Sequence, residues 1–210
     1  MLVQALVSED SNARVDCCRQ TRVARHGREH TRFRKNLLAL IRMQPGMDHS
    51  GGNDTISSMA LQSGFKWSDL VITSVAMCSR NFTLIGVPMR HWHRPDTMAR
   101  IHALKSAAID AGHRCVLVPE NAVQKQPRLE NATLIDGSRN VEATATERMA
   151  LLACLIEFGD CSLSDCATLF HGNDPYGAIL NLAAKGIVNM DLDVPIGPHS
   201  LVKLPAASRT

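Results

Sequence analysis

Two short segments rich in β-branched and aromatic residues constrain the fold of this chain most. They are "WSDLVITSVAM" at 67–77 and "NFTLIGV" at 81–87, joined at "CSRN". Segments of this composition with a short connection predict an antiparallel β-hairpin. The second strand should end at Pro88, which lacks the amide proton that a continuing ladder needs. The residues that follow, "MRHWH", include one arginine and two histidines and lie at a strand end, where functional sites often form.

The segments around the hairpin predict an α/β layer. Residues 94–114 predict a helix that starts at Asp96-Thr97 after a proline and ends before Gly112, and "CVLVPE" at 115–120 predicts a strand in the covered centre of a sheet. Upstream, the apolar residues recur at helical spacing and predict a helix that ends near Met43: Phe33, Leu37, Leu38, Leu40 and Ile41. Residues 48–64 predict loops that flank one weak strand, "TISSMAL".

The C-terminal segment has a helical pattern followed by a hairpin. "TATERMALLACLIEFG", "SLSDCATLF" and "DPYGAILNLAAKG" predict three helices, with Thr146 as cap of the first, Gly159 as its end, and Ser162 or Ser164 as cap of the second. "IVNMDLDVPIGPHSLVKL" then predicts two strands around a Pro/Gly turn. Three helices and a hairpin are typical of a winged helix.

The length and composition favour two domains. The chain has 210 residues, 45% of them hydrophobic, which is enough for one large core or two small ones. We predict a basic, disordered tail at 1–28, an α/β domain at 29–135, a polar linker at 136–143, and a winged-helix domain at 144–205.

The net charge of +3 is modest, but basic residues crowd the N-terminal end: Arg14, Arg19, Arg22, Arg25, Arg28, Arg32, Arg34 and Lys35. This segment is either a solvated tail or an arm for an anionic polymer. The third C-terminal helix should expose Asn173, Tyr176, Asn181 and Lys185. Aspartates surround that helix in the sequence, which favours protein contact over autonomous DNA binding there.

The seven cysteines form no CxxC pair, which is typical of a reduced compartment. Cys161, Cys166 and His171 have no familiar zinc-ligand spacing. Neither a membrane span nor a signal peptide is indicated, so we expect a cytoplasmic protein without membrane partners.

The order of these elements resembles the TnsA-like endonuclease subunits of heteromeric transposases. The residues that carry the resemblance are "AGHRCVLVPENAVQKQPRLENATLI" at 111–135 and "ILNLAAKGIVNMDLDVPIGPHSLV" at 179–202. The resemblance covers roughly residues 29–204 and implies a restriction-endonuclease-like PD-(D/E)XK domain followed by a winged helix. It also implies DNA as a ligand, and a transposase or an ATPase regulator as partner.

In that family an aspartate begins the first hairpin strand and a Glu-x-Lys ends the second. Asp69 is similar to the aspartate, whereas Gly86 and Pro88 stand at the glutamate and lysine positions. Glu29 is similar to an upstream helical glutamate, or is simply a solvated surface carboxylate. Since paired carboxylates hold Mg²⁺ at the scissile phosphate, cleavage by the family mechanism should fail.

The two histidines after the strand allow a second interpretation. On an extended segment His91 and His93 would point to one side and could form a Zn²⁺ or Mn²⁺ site with Asp69 or Asp96. The alternative, which we favour, is a Trp92 anchor flanked by exposed histidines.

The resemblance therefore implies a TnsA-like protein with a degenerate nuclease centre that binds DNA, transposase proteins, or both. No cofactor is expected, and Mg²⁺ or Mn²⁺ would be needed only for activity. The alternatives are an active, divergent metal-dependent endonuclease and a winged-helix transcriptional regulator. The predicted nucleic-acid contacts are Arg28, Arg32, Arg34, Lys35, Lys125, Arg128, Asn181 and Lys185.

Overall fold

The computed structural model describes residues 27–44 and 46–205. Its long helices are α1 (27–42), α2 (Asp54–Gln62), α4 (Pro95–Asp110), α6 (Arg128–Gly137), α7 (Ala145–Phe158) and α9 (Pro175–Ala184), and its short helices are α3 (Met89–Trp92), α5 (Glu120–Val123) and α8 (Leu163–Ala167). The predicted tail at 1–28 lies outside the described residues except for its last two. The chain is a mixed α/β protein, as predicted at this coarse level.

Four strands form a mixed sheet in the order β1-β2-β3-β4. They are β1 (Met47–Gly51), β2 (Val71–Met77), β3 (Arg80–Val87) and β4 (Cys115–Pro119). β1 pairs antiparallel with β2, in the register Met47↔Met77, and β4 pairs parallel with β3, in the register Thr83↔Cys115. The parallel pair brings the ends of β3 and β4 to the same edge of the sheet.

The predicted hairpin is confirmed. β2 and β3 are neighbours joined by Cys78 and Ser79, whose φ angles of 50° and 59° are the left-handed values that a two-residue hairpin turn requires. β3 ends at Val87, as its proline predicted. The prediction that β4 lies in the covered centre is wrong, because β4 is the last strand in the sheet order and Val116 is 44% exposed.

Residues 54–62 form a helix and not the predicted weak strand. Asn53 caps α2, because its side chain accepts a hydrogen bond from the Ile56 amide at 3.1 Å. Ile56 and Ala60, one turn apart, are both buried. The β-branched residues of "TISSMAL" suggested a strand, but the cap and the i, i+4 burial decide for a helix.

α4 agrees with the prediction at its end and differs at its start. It ends at Asp110 before Gly112, whose φ is +86°. Arg94 is the N-cap without a side-chain bond, Pro95 begins the helix, and Asp96 lies inside its first turn. The predicted Asp96-Thr97 cap is therefore wrong by two residues, since proline is favoured at the first helical position.

The C-terminal helices and hairpin form as predicted, with an additional short strand. β5 (Cys161–Ser162), β6 (Asn189–Met190) and β7 (Leu201–Lys203) form an antiparallel sheet in the order β5-β7-β6. Ser162 caps α8 and Gly159 ends α7, as predicted. The cap of α7 is Thr144 and not Thr146, because Thr144 and Glu147 form a reciprocal capping box.

The chain divides into two compact units. The first contains the described residues up to 35, Gly52–Thr73 and Thr83–Glu120, and the second contains the described residues of Asn36–Gly51, Ser74–Phe82 and those from 121 onward. One core, with Ile56, Ile85 and Ile101, belongs to the first unit, and another, with Leu151, Ile179 and Val202, belongs to the second. The predicted domain boundaries, including the linker at 136–143, stay a prediction.

In the described part of the chain, no helix has both the length and the apolar character needed to cross a bilayer.

Candidate functional site

The end of β3 turns directly into a short helix. Pro88 is the N-cap of α3, and its carbonyl oxygen accepts hydrogen bonds from the amides of His91 and Trp92, at 2.9 and 3.3 Å. The segment after Pro88 is therefore a helical turn, so His91 and His93 do not share the side that an extended chain would give them. The prediction of two imidazoles on one side is wrong.

Asp69 lies in a turn, two residues before β2 begins. Its Oδ2 accepts a hydrogen bond from the Lys66 amide at 2.8 Å, and its own amide donates to the Lys66 carbonyl at 2.9 Å. These two bonds close the turn of residues 66–69. One carboxylate oxygen of the predicted catalytic aspartate is thus bound to the backbone.

Arg90 lies between the two predicted catalytic carboxylates. Its Nη1 is 3.6 Å from Glu29 Oε2, and its Nη2 is 3.7 Å from Asp69 Oδ1. Nη2 also donates a hydrogen bond to the carbonyl of Ser68. A protein cation therefore lies where a divalent ion would be expected to bridge the acidic groups. Sequence reasoning did not predict this role for Arg90.

His91 belongs to the same cluster. Its Nε2 accepts a hydrogen bond from Arg90 Nε at 3.3 Å and lies 3.5 Å from Asp69 Oδ1. Burial, reinforced by the positive charge of Arg90, lowers the pKa of His91 below 6.5, although Asp69 opposes that shift. The side chain is only 13% exposed, so the predicted exposed position is wrong for His91 and correct for His93. Trp92 packs against the core of the first unit, as the anchor interpretation predicted.

The position expected to carry the family glutamate is tightly enclosed by neighbouring side chains. A Cβ on Gly86 would lie 3.0 Å from Phe33 Cζ and 3.1 Å from Val71 Cβ. Phe33, which is 2% exposed, lies one helical turn after Glu29 on α1. An aromatic ring therefore fills the space beside Gly86.

A further carboxylate, Glu120, lies at the same edge of the sheet. It follows β4, whose Pro119 is paired with Val87, and its Oε2 accepts a hydrogen bond from the Met89 amide at 2.9 Å. Glu29 and Glu120 both line a cavity of about 290 Å³. The sequence signal for Glu120 was its position after a parallel strand, but nothing local linked it to Asp69.

The acidic and histidine side chains around Arg90 do not fit a divalent cation. Asp69 uses one oxygen for the Lys66 amide and directs the other to Arg90. Among residues 27–44 and 46–205, no group of three or more His, Cys, Asp or Glu side chains is arranged to hold a metal ion. The arrangement is an arginine-centred ion cluster, able to hold the backbone around it and to reduce its own negative charge.

No protein-family model and no curated protein matches this sequence.

Four of the predicted nucleic-acid residues lie on α1 and are exposed. Arg28, Arg32 and Lys35 follow i, i+4, i+7 spacing and form one stripe opposite the buried Phe33. We call these three residues the α1 stripe. Arg34 lies away from the stripe and lines a different cavity.

The other predicted nucleic-acid residues belong to the second unit. Lys125 and Lys185 are exposed. Arg128 is ion-paired with Asp193, at 3.3 Å between Nε and Oδ1. The prediction that Asn181 is exposed is wrong, because it is 0% exposed and its Nδ2 donates to the Arg139 carbonyl at 2.6 Å. Asn181 holds the turn after α6 and cannot reach DNA.

Asn131 is another residue whose role the sequence did not reveal. It is 3% exposed, its Nδ2 donates to the carbonyls of Leu192 and Val194 at 2.9 and 2.8 Å, and its Oδ1 accepts from the Ile196 amide at 3.1 Å. It therefore fixes the loop between β6 and β7. The segment at 111–135 that carries the resemblance includes this asparagine but does not indicate its partner.

Proposed function

We propose that this chain is a TnsA-like protein whose nuclease centre no longer cuts DNA and which binds duplex DNA for a transposase partner. The observation that carries the proposal is Arg90 between Glu29 and Asp69. Divalent ions in such nucleases neutralise the carboxylates so that a phosphate can approach. A guanidinium offsets part of the same charge, but it cannot supply a metal-bound hydroxide.

The residues at the ends of β3 and β4 also support the proposal that cleavage is lost. Gly86 and Pro88 provide no ligand and no charge, and Phe33 fills the space that a ligand at residue 86 would need. Glu120 is bound to the Met89 amide. Among the described residues, this edge of the sheet therefore lacks the metal-binding carboxylate pair that would activate water for attack on a phosphodiester.

The α1 stripe supports DNA binding. Three exposed cations on one face of a helix can lie along a phosphate backbone, and each contact releases condensed counterions. Arg90 reduces the negative charge of Glu29 in the same unit, which would otherwise repel the duplex. Backbone contacts of this kind position a protein without reading sequence.

The surface of the second unit supports the proposal of a protein partner. Its three helices followed by β6 and β7 are consistent with a winged helix. Tyr176 is 42% exposed at the start of α9, where Asp174 is the N-cap, and Asp191 and Asp193 follow β6 in the same unit. An exposed aromatic and several acidic side chains in one unit fit a basic protein surface better than DNA.

Two assays test the proposal. In filter binding, the full chain should hold duplex DNA at low salt and lose affinity steeply as salt rises. With supercoiled plasmid and Mn²⁺, it should not nick. Nicking that disappears in Asp69→Ala would instead support the divergent-endonuclease alternative, and undetectable duplex binding at low salt would refute the DNA-binding role.

A further inference from the structure

A second cavity lies in the first unit, and the turn that Asp69 closes contributes to its lining. It has a volume of about 120 Å³ and lies between α1, α2 and the start of β2. Its buried floor consists of apolar side chains: Ala60, Phe65, Leu70 and Val71. An apolar cavity of about 150 Å³ holds one benzene ring, whereas drug-sized ligands need about 300 Å³ or more. The cavity therefore suits a single six-membered ring.

Trp67 at the rim of this cavity is 68% exposed. Its turn is held by the two bonds between Lys66 and Asp69, and Arg90 binds the carbonyl of Ser68. The aspartate that would hold metal in a nuclease thus supports the turn that presents an indole. An exposed aromatic ring on a turn with a fixed backbone is a platform on which a base can stack.

Charged side chains surround the apolar floor. Arg34 and Lys66 line the cavity and are exposed, and Asp54 lines it too. His30 also contributes, with its Nε2 3.1 Å from the carbonyl oxygen of Leu70. Two cations against one carboxylate leave a net positive rim. An apolar floor, an aromatic rim and adjacent cations together match the ring and the phosphate of one nucleotide.

We propose that this cavity takes a single unpaired pyrimidine nucleotide of the bound DNA. The base enters the apolar floor against Trp67, and its phosphate lies at Arg34 and Lys66. The second ring of a purine would extend beyond this volume of about 120 Å³ and lie outside the apolar floor. The inference rests on the proposed function, because α1 carries both Arg34 and the stripe that contacts the duplex.

Fluorescence anisotropy with three labelled DNAs tests the inference on the full chain. The DNAs are a perfect duplex, the same duplex with one unpaired thymidine, and the same duplex with one unpaired adenosine. Stacking of a base on an aromatic side chain contributes about 1–3 kcal/mol, so the unpaired thymidine should raise affinity about 5- to 150-fold over the perfect duplex. The unpaired adenosine should give a clearly smaller gain.

Trp67→Ala should abolish the preference for unpaired thymidine and leave perfect-duplex affinity within about twofold. Because Trp67 is 68% exposed, its replacement should leave the fold intact, and circular dichroism of each variant checks this. The matched control is Trp92→Phe. It changes the second tryptophan of the chain, which packs against the core of this unit, and it should keep the preference. Ala60→Leu, which fills the floor, should abolish the preference independently.

The outcomes separate the two proposals. If the perfect duplex binds but the unpaired thymidine brings no gain, or if the gain survives Trp67→Ala, this inference is wrong and the proposed function stands. If unpaired adenosine gains as much as thymidine, the assignment to pyrimidines is wrong. If no DNA binds at low salt, the proposed function itself is refuted.

Discussion

At the scale of single residues, Arg90 determines what the acidic cluster can do. Its guanidinium contacts Glu29 and Asp69, whose side chains are 45% and 23% exposed, and it also bonds to His91. In this partly buried place an ion pair interacts more strongly than at the open surface. The cluster is therefore a structural unit in which each charge depends on Arg90.

Replacing Arg90 should expose that dependence. We expect Arg90→Met to lower the free energy of unfolding by about 1–2 kcal/mol at pH 7, because two carboxylates lose their cation in a partly buried site. Urea unfolding measures the change, with Arg94→Met as a control at an exposed neighbour that makes no side-chain cap bond. Isothermal titration should detect no tight Mn²⁺ site in the wild type, and finding one would contradict the arginine-centred cluster.

Gly86 provides a second test at this scale. Gly86→Ala should destabilise the chain by about 1–3 kcal/mol, because the new Cβ would lie 3.0 Å from Phe33 and 3.1 Å from Val71. Gly52→Ala is the matched control, since a Cβ there meets nothing within 4 Å. Chemical denaturation of both variants measures the difference. Equal stability of the two would show that Phe33 does not fill the space beside β3.

At the scale of elements, local caps determine where the C-terminal helices begin. Thr144 caps α7, and its amide donates a hydrogen bond to Glu147 Oε2 at 2.9 Å. The other carboxylate oxygen of Glu147, Oε1, accepts a hydrogen bond from the His171 amide at 2.9 Å. The same carboxylate thus holds the start of α7 and the loop before α9. Such reciprocal caps stabilise a helix start and connect it to a neighbour.

Glu147 makes the stability of this element depend on pH. Hydrogen bonds from the backbone amides of His171 and Thr144 lower the pKa of Glu147 from 4.5 to about 2. A lowered acid pKa contributes stability that is fully present above pH 4.5 and is lost as the pH falls toward 2. Glu147→Gln should therefore flatten the decline of the thermal midpoint in that range.

Thermal unfolding between pH 7 and pH 2.5 measures this effect, and Glu142→Gln, an exposed neighbour, is the matched control. Thr144→Ala should cost about 1 kcal/mol at pH 7, since it removes the cap itself. An unchanged acid profile in Glu147→Gln would show that the capping box does not hold this helix in solution.

At the scale of the whole molecule, charge is distributed unequally between the two units. The α1 stripe lies in the first unit, whereas Arg128 in the second is paired with Asp193 and Lys203 with Asp160. Cations that already have an acidic partner release fewer counterions on meeting DNA. The first unit should therefore dominate duplex binding.

The salt dependence of DNA binding tests that expectation. Because each phosphate contact contributes about 0.9 to the slope of log affinity against log salt, the combined variant Arg28→Ala, Arg32→Ala, Lys35→Ala should lower the slope by about 2–3. Arg148→Ala, an exposed arginine on α7, is the control and should leave the slope unchanged. Lys125→Ala with Lys185→Ala should have the smaller effect. If the Lys125→Ala, Lys185→Ala variant lowered the slope more than the triple variant of α1, the result would favour a winged-helix regulator.

The elements with strong local signals could be predicted from the sequence. β2 and β3 are short and rich in β-branched and apolar residues, α4, α7 and α9 each end before a glycine, and Ser162 caps α8, so nearest-neighbour physics decides them. α2 was missed because its β-branched start competes with an asparagine cap, and its burial depends on the rest of the unit. The edge position of β4 likewise depends on which strands pair, which no local pattern contains.

The same distinction between local and tertiary features applies to the candidate site. The sequence alone determined that Gly86 and Pro88 offer no ligand and that β3 ends at Val87, because backbone chemistry is local. Only the tertiary structure decided that Arg90 reaches Glu29 and Asp69, that Phe33 fills the space at Gly86, and that Asn181 is buried. Those contacts join residues far apart in the chain, and their energies depend on burial and distance, which exist only once the chain has folded.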